Sequence, residues 1–313
     1  AVDEGRHWLF NAEYPMLRWL EANGYDVAYT TGVQADRAPA SLLNHKLFLS
    51  NGEDAYWSGA QRANVEAASA AGVHLAFFSG SKAFWKARFE PSSDGSNTSH
   101  RTLVSYRETL AGAVIDPAQP VWTGTWRDAR FSPPGDGGRP ENGFTGTLLQ
   151  IGAPFRGAIT VSGEEGRLRF WRATPLATMP VGDTATLAPG SLGSELDLAV
   201  DNGFRPPGLV GVSGTPVVSA SSYLLDQGAT YGAGSGTHKL TLFRHPVSGA
   251  LVFSAGTSQW SWGLDANHDR ASLGATTDAR MQQATVNLLS DMGVVPAGLQ
   301  PGVTYLVVPP DTP

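Results

Sequence analysis

The sequence predicts an α/β protein in which helices flank a parallel sheet that carries a large insertion rich in β structure and loops. Residues 1–90 and 236–295 show strand and helix patterns in alternation, an order typical of parallel strands joined by right-handed crossovers. Residues 91–235 instead hold most of the 37 glycines and 21 prolines, with only short apolar runs. We therefore expect an α/β core from the first two ranges, a β-rich insertion packed on it, and a tail or linker over residues 296–313.

The first ninety residues predict helices and strands in alternation. Apolar residues at helical spacing after Tyr14 indicate an amphipathic helix, and Asn23-Gly24 is a suitable left-handed cap. Continuous apolar runs indicate buried strands, and a serine followed three residues later by glutamine indicates a helix start. The further predicted elements are strands over Tyr25–Thr30, from Lys46 and over Val73–Phe78, and helices over Ser58–Ala71 and Ser81–Arg88.

The later part of the chain predicts short antiparallel strands first and then a return to the α/β pattern. Apolar residues from Met281 to Met292 recur at helical spacing, and Gly293 follows as a cap. The predicted strands are Gly146–Ile151, Ala158–Val161, Leu168–Trp171, Pro216–Ser219, Lys239–Arg244 and Ala250–Ala255. We expect the last two strands and the final helix to complete the first sheet.

Composition excludes several classes of function. Charged residues make up 16% of the chain, the net charge is −6, and no run of Lys or Arg offers the phosphate-neutralising surface of a nucleic-acid-binding protein. No apolar stretch approaches the roughly 20 residues that cross a bilayer, so we predict no transmembrane segment. The absence of cysteine excludes thiol nucleophiles, iron–sulfur clusters, thiolate zinc sites and disulfides.

The ends of the chain and its lack of thiols bear on location. A chain without cysteine needs no redox management outside the cell, which is compatible with export by a bacterium. The start, Ala1-Val-Asp-Glu, is no signal peptide but suits a mature or trimmed N-terminus, and Val307-Val-Pro-Pro-Asp-Thr-Pro313 suits the start of a linker. We expect a secreted or cell-surface bacterial protein that is part of a longer chain with other domains.

The strongest candidate site is the turn that carries Glu53 and Asp54. It follows a predicted buried strand, at the carboxyl end where open α/β sheets place ligands, and it precedes the Ser58 helix cap. A carboxylate there would serve as a general base or a metal ligand, and the neighbouring Tyr56 and Trp57 would contact the ligand. The alternative is that Asp54 binds turn amides and Glu53 is a solvated charge.

A second acidic segment resembles the opening of a calcium loop. Asp265, Asn267 and Asp269 place oxygen ligands at positions 1, 3 and 5. Position 6 is Arg270 where that loop needs glycine, and position 12 is Thr276 where it needs glutamate, so an EF-hand is excluded. A looser cation site and a network of Asx turns both remain open.

Aromatic residues offer a third candidate, a stacking platform for a sugar or hydrophobic ligand. Tryptophans more often anchor loops against a core, which is the alternative interpretation. The candidate rings are Trp122, Trp126, Trp171, Trp260 and Trp262, with Tyr223 and Tyr231.

Three short motifs carry little weight. Ser79-Gly-Ser-Lys82 fits the Ser-x-x-Lys pattern of penicillin-binding hydrolases, but the companion motifs are missing. The seven histidines form no zinc-binding pattern. The glycines of Gly232–Gly236 lack the spacing of a dinucleotide fingerprint.

Several spaced segments together resemble the C-terminal domain of the large (β) subunit of N,N-dimethylformamidase. This resemblance implies a fold related to class I glutamine amidotransferases, a parallel sheet between helices. The segments are Glu13-Tyr-Pro-Met-Leu-Arg-Trp-Leu20, Asn23-Gly-Tyr-Asp-Val27, Ala55-Tyr-Trp-Ser58, Asn64-Val-Glu-Ala67, Leu75-Ala-Phe-Phe-Ser-Gly80, Trp122-Thr-Gly-Thr-Trp-Arg-Asp128, Asn202-Gly-Phe-Arg-Pro206 and Gln259-Trp-Ser-Trp-Gly-Leu-Asp265.

The resemblance also implies iron, but the matching residues are altered. Dimethylformamidase hydrolyses an amide with a ferric ion held by two tyrosines and a glutamate. Where the family typically has Gly-His-Asp-Glu-Tyr-Trp-Ser, this chain has Glu53 for the histidine and Ala55 for the glutamate ligand, and a methyl group cannot bind a hard ferric ion. Ser81 lies in Ser-Gly-Ser-Lys, where the family often has Ser-Gly-Asn-Glu. We therefore expect iron only if the family site survives, which Ala55 argues against.

Two further residues enter through the resemblance alone. Tyr14 matches one tyrosine ligand of the family, and Glu195, in Leu-Gly-Ser-Glu-Leu-Asp197, corresponds to a catalytic acid in a segment usually written Gly-Tyr-Glu-Trp-Asp. The resemblance implies that Tyr14 and Ser81 line the ligand site and that Glu195 joins Glu53 in catalysis. The glutamine amidotransferase nucleophile is absent, since the chain has no cysteine.

Three hypotheses about function follow. A residual or altered hydrolase of C–N bonds, with Glu53 or Glu195 as base, predicts bound metal or a dry cleft whose carboxylate has a strongly raised pKa. A non-catalytic module that binds a small molecule, carbohydrate or peptide predicts a wet groove lined by exposed tryptophans. A structural domain of a larger surface protein predicts a broad contact surface and no sizeable pocket.

Overall fold

The computed structural model describes residues 9–118, 120–130, 138–269 and 276–307. The α-helices are α1 Tyr14–Ala22, α2 Gly32–Arg37, α3 Pro39–Leu42, α4 Gly59–Ala70, α5 Glu108–Ala111, α6 Asn142–Thr145, α7 Gly163–Gly166 and α8 Ala279–Asp291. A π-helical turn spans Leu9–Glu13, and 3-10 turns span Arg169–Trp171, Pro175–Thr178 and Trp260–Gly263.

The strands form four sheets. They are β1 Leu47–Glu53, β2 Tyr56–Ser58, β3 His74–Gly80, β4 Trp85–Glu90, β5 Thr102–Val104, β6 Leu148–Gly157, β7 Thr160–Ser162, β8 Thr184–Thr186, β9 Leu192–Leu198, β10 Val210–Gly211, β11 Thr215–Leu224, β12 Tyr231–His238, β13 Thr241–Arg244 and β14 Leu251–Ser254. The sheet orders are β1-β3-β14-β13-β10, β12-β11-β6-β9, β2-β4-β5 and β7-β8.

The five-stranded sheet is mixed, with a parallel half that matches the predicted α/β pattern. Strand β3 pairs in parallel with both β1 and β14, while β13 and β10 run antiparallel to their neighbours. The register places Glu53 beside Gly80, so the carboxyl ends of β1 and β3 lie next to each other. The sheet thus brings the Glu53 turn to the segment that follows β3.

The connection from β1 to β3 follows the helix signals in the sequence. The Ser58 hydroxyl accepts a hydrogen bond from the Gln61 amide at 3.0 Å and so caps α4. Gly72 follows the helix with φ of +108°, a conformation that favours glycine. These two residues set the ends of the helix that carries the chain back to β3.

The four-stranded sheet is antiparallel and built from the β-rich part of the chain. Strand β9 pairs with β6, which also pairs with β11. An isolated bridge joins Leu196 of β9 to Thr257, just after β14 of the five-stranded sheet. This bridge brings the middle of β9 to the carboxyl end of the parallel strands.

Aromatic rings fill the core between the five-stranded sheet and the elements that cover it. Phe170 stacks on Phe253 with ring centroids 5.4 Å apart, and Trp260 packs 6.1 Å from Phe78. The α8 residues predicted to face the core are buried here, Met281 and Leu288 among them. The helical spacing of the last element therefore identified its buried face correctly.

Three predicted elements are wrong. Residues 25–30 join no sheet among the described residues, and the Tyr25 ring instead packs on Trp19 at 5.9 Å. No helix follows β3, because Ser81 and Ala83 have φ of +50° and +49°, and the chain continues into β4. Residues 168–171 form a 3-10 turn that places the Phe170 ring in the core rather than a strand.

The predicted division into core, insertion and tail stays a prediction. Val210–Gly211, inside residues 91–235, pairs with β13 at the edge of the five-stranded sheet. The segment from Gln300 to Thr304 lies against the protein, where the Gln300 amide donates to Asn23 Oδ1 at 3.0 Å and the Thr304 amide donates to Gln283 Oε1 at 2.8 Å. Within the described ranges, no helix has the length and apolar character needed to span a bilayer.

Candidate functional site

The candidate site lies where β9 crosses the carboxyl end of β3. Gly80, the last residue of β3, allows this approach because a Cβ there would lie 2.9 Å from the Glu195 carbonyl oxygen and 2.8 Å from Ser258 Oγ. These separations are shorter than a real Cβ tolerates. Gly80 therefore brings Glu195, Ser258 and the segment after β3 together.

The segment after β3 is held in a sharp turn by the carboxylate of Asp197. The Ser81 amide donates to Asp197 Oδ1 at 2.8 Å, and the Lys82 ammonium pairs with the other oxygen. Lys82 also donates to Thr147 Oγ1 at 2.6 Å. The side chains of Lys82 and Asp197 are fully buried, so each ion neutralises the other away from water. Lys82 of the Ser-x-x-Lys pattern thus supports the turn.

Glu195 is a partly exposed carboxyl at this turn whose pKa is raised to about 7. Burial is the main cause, since a carboxylate loses hydration there, and the charges of Glu53 and Asp197 add to the rise while the nearby Ser81 hydroxyl opposes it. Glu195 Oε2 and Ser81 Oγ are both buried without a well-formed hydrogen bond. The predicted catalytic acid therefore titrates close to neutral pH.

Glu53 and Glu13 form the acidic side of the site. Burial raises the pKa of Glu53, and the Arg107 charge opposes this rise. Burial also raises the pKa of Glu13, with contributions from the charges of Asp54 and Glu53. Glu13 reaches the end of β1 because Gly52 has no side chain: a Cβ there would lie 2.6 Å from Glu13 Cγ. Sequence reasoning missed Glu13, although it stands in a segment that carried the resemblance.

Asp54, half-buried like its neighbour Glu53, is engaged by side chains of the protein. Its carboxyl accepts a hydrogen bond from Ser50 Oγ at 2.7 Å, and Ser50 Oγ lies 3.1 Å from Ser79 Oγ. Burial raises the pKa of Asp54, opposed by Ser50, Trp57 and the charge of Lys82. Its backbone carbonyl accepts from the Ala83 amide at 2.9 Å. Asp54 thus links the turn that follows β1 to the turn that follows β3.

A cation and two tyrosines border the acidic residues. The Arg107 guanidinium lies over the rings of Tyr56 and Trp85, 5.5 and 5.3 Å from their centroids, and donates to the Tyr56 hydroxyl. Burial raises the pKa of Tyr231, and the charge of Glu195 adds to the rise. Tyr56, one of the predicted ligand-binding residues, therefore contacts Arg107, and Arg107 lies close enough to Glu53 to lower its pKa.

The predicted tryptophans lie in the core. Trp57 packs between Phe48 and Phe144, Trp260 donates to Thr285 Oγ1 at 3.1 Å, and Trp262 donates to the Asn11 carbonyl at 2.6 Å. Each tryptophan in the part of the chain that the structure describes has at most 8% of its surface exposed. These rings anchor loops and sheets, which is the alternative to a stacking platform given in the sequence analysis.

Tyr14 and the acidic segment near residue 265 lie together, and none of their described contacts is with Glu53 or Glu195. Arg18 lies over the Tyr14 ring at 5.7 Å from its centroid and donates to Asp265 Oδ2 at 3.1 Å. The other Asp265 oxygen accepts from the Asn267 amide and side chain, both at 2.7 Å. Both oxygens of Asp265 are thus engaged in an Asx turn and an ion pair. Arg270 of the proposed loop lies outside the described residues.

The residues at the expected iron position do not fit a ferric ion. Ala55 is 7% exposed and packs in an apolar cluster with Phe84, Trp85 and Leu224. A methyl group has no electron pair to donate, and Tyr14 binds Arg18 instead. Among the described residues, no three His, Cys, Asp or Glu side chains are grouped to hold a metal.

An apolar cavity lies away from this site. It has a volume of about 350 Å³ and is lined by Phe144, Phe204 and Phe243, among others. Its one carboxylate, Glu66, is neutralised by Arg62 and Arg139. The cavity therefore lacks the unpaired acid that distinguishes the Glu195 region.

Comparison with known protein families agrees with the residues quoted above. The family described as N,N-dimethylformamidase beta subunit-like, C-terminal, matches residues 1–272. The chain belongs to this family. No curated protein sequence matches it closely enough to add a relative. Within this dimethylformamidase-like domain, Glu195 and Ser81 lie together, and Ala55 packs in an apolar cluster.

Proposed function

We propose that this dimethylformamidase-like domain hydrolyses C–N (amide) bonds of small molecules, with Glu195 as the general base. The observation that carries the proposal is the near-neutral pKa of Glu195, about 7, at the carboxyl end of the parallel strands. A base works best when its pKa lies near the operating pH, because it is then both ionised and able to take a proton. The family description names an amide hydrolase and so supports the same reaction class.

The groups that face Glu195 suit this role. Glu53 and Asp197 lie close enough to raise the pKa of Glu195, and the charge of Glu195 in turn raises the pKa of Tyr231. Asp197 itself is engaged by Ser81 and Lys82, so it is not available to take a proton. Of Asp197 and Glu195, the two acids of β9, Glu195 is therefore the one free to accept a proton from water or from a neighbouring hydroxyl.

The proposed reaction uses no ferric ion at Ala55. It relies on the partly buried carboxylate of Glu195 and on Arg107 to offset the charge of Glu53. The alternative, a non-catalytic module with an aromatic platform, receives less support because the described tryptophans are buried. Export from a bacterial cell is part of the same proposal.

The test is hydrolysis of N,N-dimethylformamide and p-nitroacetanilide by the purified chain and its variants. Glu195→Gln keeps the shape but removes the base, and we expect kcat/KM to fall by about 10²–10⁴-fold. The rate of the unchanged protein should rise with pH and level off above about 7, as Glu195 ionises.

The matched control is Glu164→Gln, which changes an exposed acid in the first turn of α7. We expect it to leave the rate unchanged. The proposal is overturned if neither amide is hydrolysed, or if Glu195→Gln retains the full rate.

A further inference from the structure

We propose that Ser81 is the nucleophile of this site and forms a covalent acyl-enzyme with a small acyl group. The inference rests on the proposed hydrolase function and adds a covalent step to it. Its basis is the turn after β3: the Ser81 amide donates to Asp197 Oδ1 at 2.8 Å, and Asp197 stands two residues after Glu195 in β9, on the same face of the strand. A nucleophile next to a base is the arrangement that activates a serine.

The backbone at Ser81 has the geometry of a strained turn at the end of a strand. Ser81 follows β3 directly and has φ of +50°, a left-handed conformation that disfavours any residue with a side chain. Sharp turns of this kind hold the serine of many hydrolases at the top of a sheet. Asp197 fixes the turn through the Ser81 amide, and Lys82 balances the charge of Asp197. The buried Lys82–Asp197 ion pair thus holds Ser81 in this strained conformation.

Unpartnered polar atoms mark the place that a substrate would occupy. Ser81 Oγ, Glu195 Oε2 and Ser258 Oγ are buried without a well-formed hydrogen bond, and Gly80 is bordered by Ser258 Oγ and by the Glu195 backbone carbonyl. A buried polar atom without a well-formed hydrogen bond is costly, so such groups rarely gather without something to bind. A carbonyl group and its leaving amine would offer the missing acceptor and donor.

The chemical steps balance with these groups alone. Ser81 Oγ attacks the carbonyl carbon while Glu195 accepts the hydroxyl proton, and Glu195 then gives that proton to the nitrogen as the C–N bond breaks. Water attacks the resulting ester with Glu195 again accepting a proton, and the acid leaves as Ser81 regains its proton. Ser81 is only 2% exposed, so a formyl or acetyl group would need less room there than a long acyl chain.

The competing interpretation is that Ser81 only holds Glu195 or the attacking water. In that case no covalent adduct forms on Ser81. The two interpretations therefore differ in the mass of the protein during turnover, and an activity measurement alone does not separate them.

The experiment is reaction with p-nitrophenyl acetate, followed by intact mass and peptide mapping after acid quench. We expect a burst of one p-nitrophenol per chain, one added acetyl group on Ser81, and reaction at least about 100-fold slower with p-nitrophenyl laurate. Ser81→Ala should lose the burst and the adduct. Ser69→Ala is the matched control, since it removes a buried, unpartnered serine hydroxyl from α4.

Ser81→Cys provides a second test that stays informative if Ser81→Ala fails to fold. The chain has no other cysteine, so the new thiol is unique and its acetylation is directly mapped. We expect the acetyl group on Cys at this position. Absence of an adduct on Ser81 in the unchanged protein, or an unaltered burst in Ser81→Ala, overturns the inference.

The outcomes also separate this inference from the proposed function. Amide hydrolysis without an adduct on Ser81 would retain the hydrolase and remove the serine nucleophile. Failure of both amide hydrolysis and acetylation would remove both proposals.

Discussion

Glu195 illustrates how a single carboxyl acquires a chemical role from its surroundings. An exposed glutamate titrates near pH 4.5, whereas burial beside Glu53 and Asp197 raises the pKa of Glu195 to about 7. Ionising Glu195 therefore costs free energy in the folded protein. Such a cost is a frequent mark of functional sites, where a group must gain and lose a proton at neutral pH.

This cost predicts a pH dependence of stability. The folded protein holds the Glu195 proton up to about pH 7, while the unfolded chain releases it near 4.5, so the free energy of unfolding should fall as pH rises between these values. Glu195→Gln stays neutral and should be more stable than the unchanged protein above pH 7, by about 1–3 kcal/mol. Urea unfolding at pH 4.5 and 8 measures both. Parallel pH profiles for the two proteins would contradict the raised pKa.

At the scale of single residues, sequence reasoning found only part of the site. Glu53 followed from its place after a strand, but Glu195 came from the family resemblance, and Glu13 was missed. Glu13 reaches β1 because of how the first helix docks and because Gly52 leaves room. That contact depends on packing between separate elements, so no local pattern reports it.

Helix α4 and its ends show what local signals control at the scale of elements. Its start is fixed by the Ser58 cap and its end by Gly72, both of which the sequence predicted. Gly59, the first helical residue, has space around its Cα, because the nearest atom to a Cβ would be Lys86 Cε at 4.0 Å. The two glycines at the ends of α4 therefore have opposite roles.

This contrast predicts opposite effects of the same substitution. Gly72→Ala should lower the free energy of unfolding by about 1 kcal/mol or more, since φ of +108° disfavours a side chain. Gly59→Ala should raise it by about 0.5–1 kcal/mol, because alanine restricts the unfolded chain and suits a helix. Thermal and urea unfolding of the two variants gives the comparison. Equal effects of the two changes would mean that backbone conformation does not decide them.

The helix wrongly predicted over residues 81–88 has a cause at this scale. Residues 81–88 contain ordinary helix formers, yet the positive φ of Ser81 and Ala83 redirects the chain into β4. That conformation is held by Asp197, which is 116 residues away from Ser81 in sequence. A local pattern cannot anticipate a backbone constraint imposed by so distant a carboxylate.

At the scale of the whole molecule, the Lys82–Asp197 pair joins the two largest sheets. Lys82 follows β3 of the five-stranded sheet, and Asp197 belongs to β9 of the four-stranded sheet. One hydrophobic cluster also contains residues of both sheets, among them Phe78, Phe253 and Leu196. The sheets therefore share a core and a buried ion pair, and we expect them to unfold together.

Breaking the Lys82–Asp197 pair tests whether the two sheets unfold together. Asp197→Asn leaves the Lys82 charge buried and unpaired and should lower the free energy of unfolding by about 3–5 kcal/mol. Adding Lys82→Met should recover part of the loss. Far- and near-UV circular dichroism should give one coincident transition in urea.

The control is Asp265→Asn, which breaks the exposed Arg18–Asp265 pair and should barely move the midpoint. A small loss in Asp197→Asn, or two separate transitions, would contradict the shared core.

The sequence by itself determined the α/β class, the strand from Lys46 that leads to Glu53, the cap and end of α4, and the buried face of α8. These features depend on residue spacing and on local backbone preference, which neighbours along the chain supply. Only the tertiary structure decided the pKa of Glu195, the turn at Ser81 and the burial of the tryptophans. Each of these depends on desolvation or close approach between segments far apart in sequence, and that proximity exists only after folding.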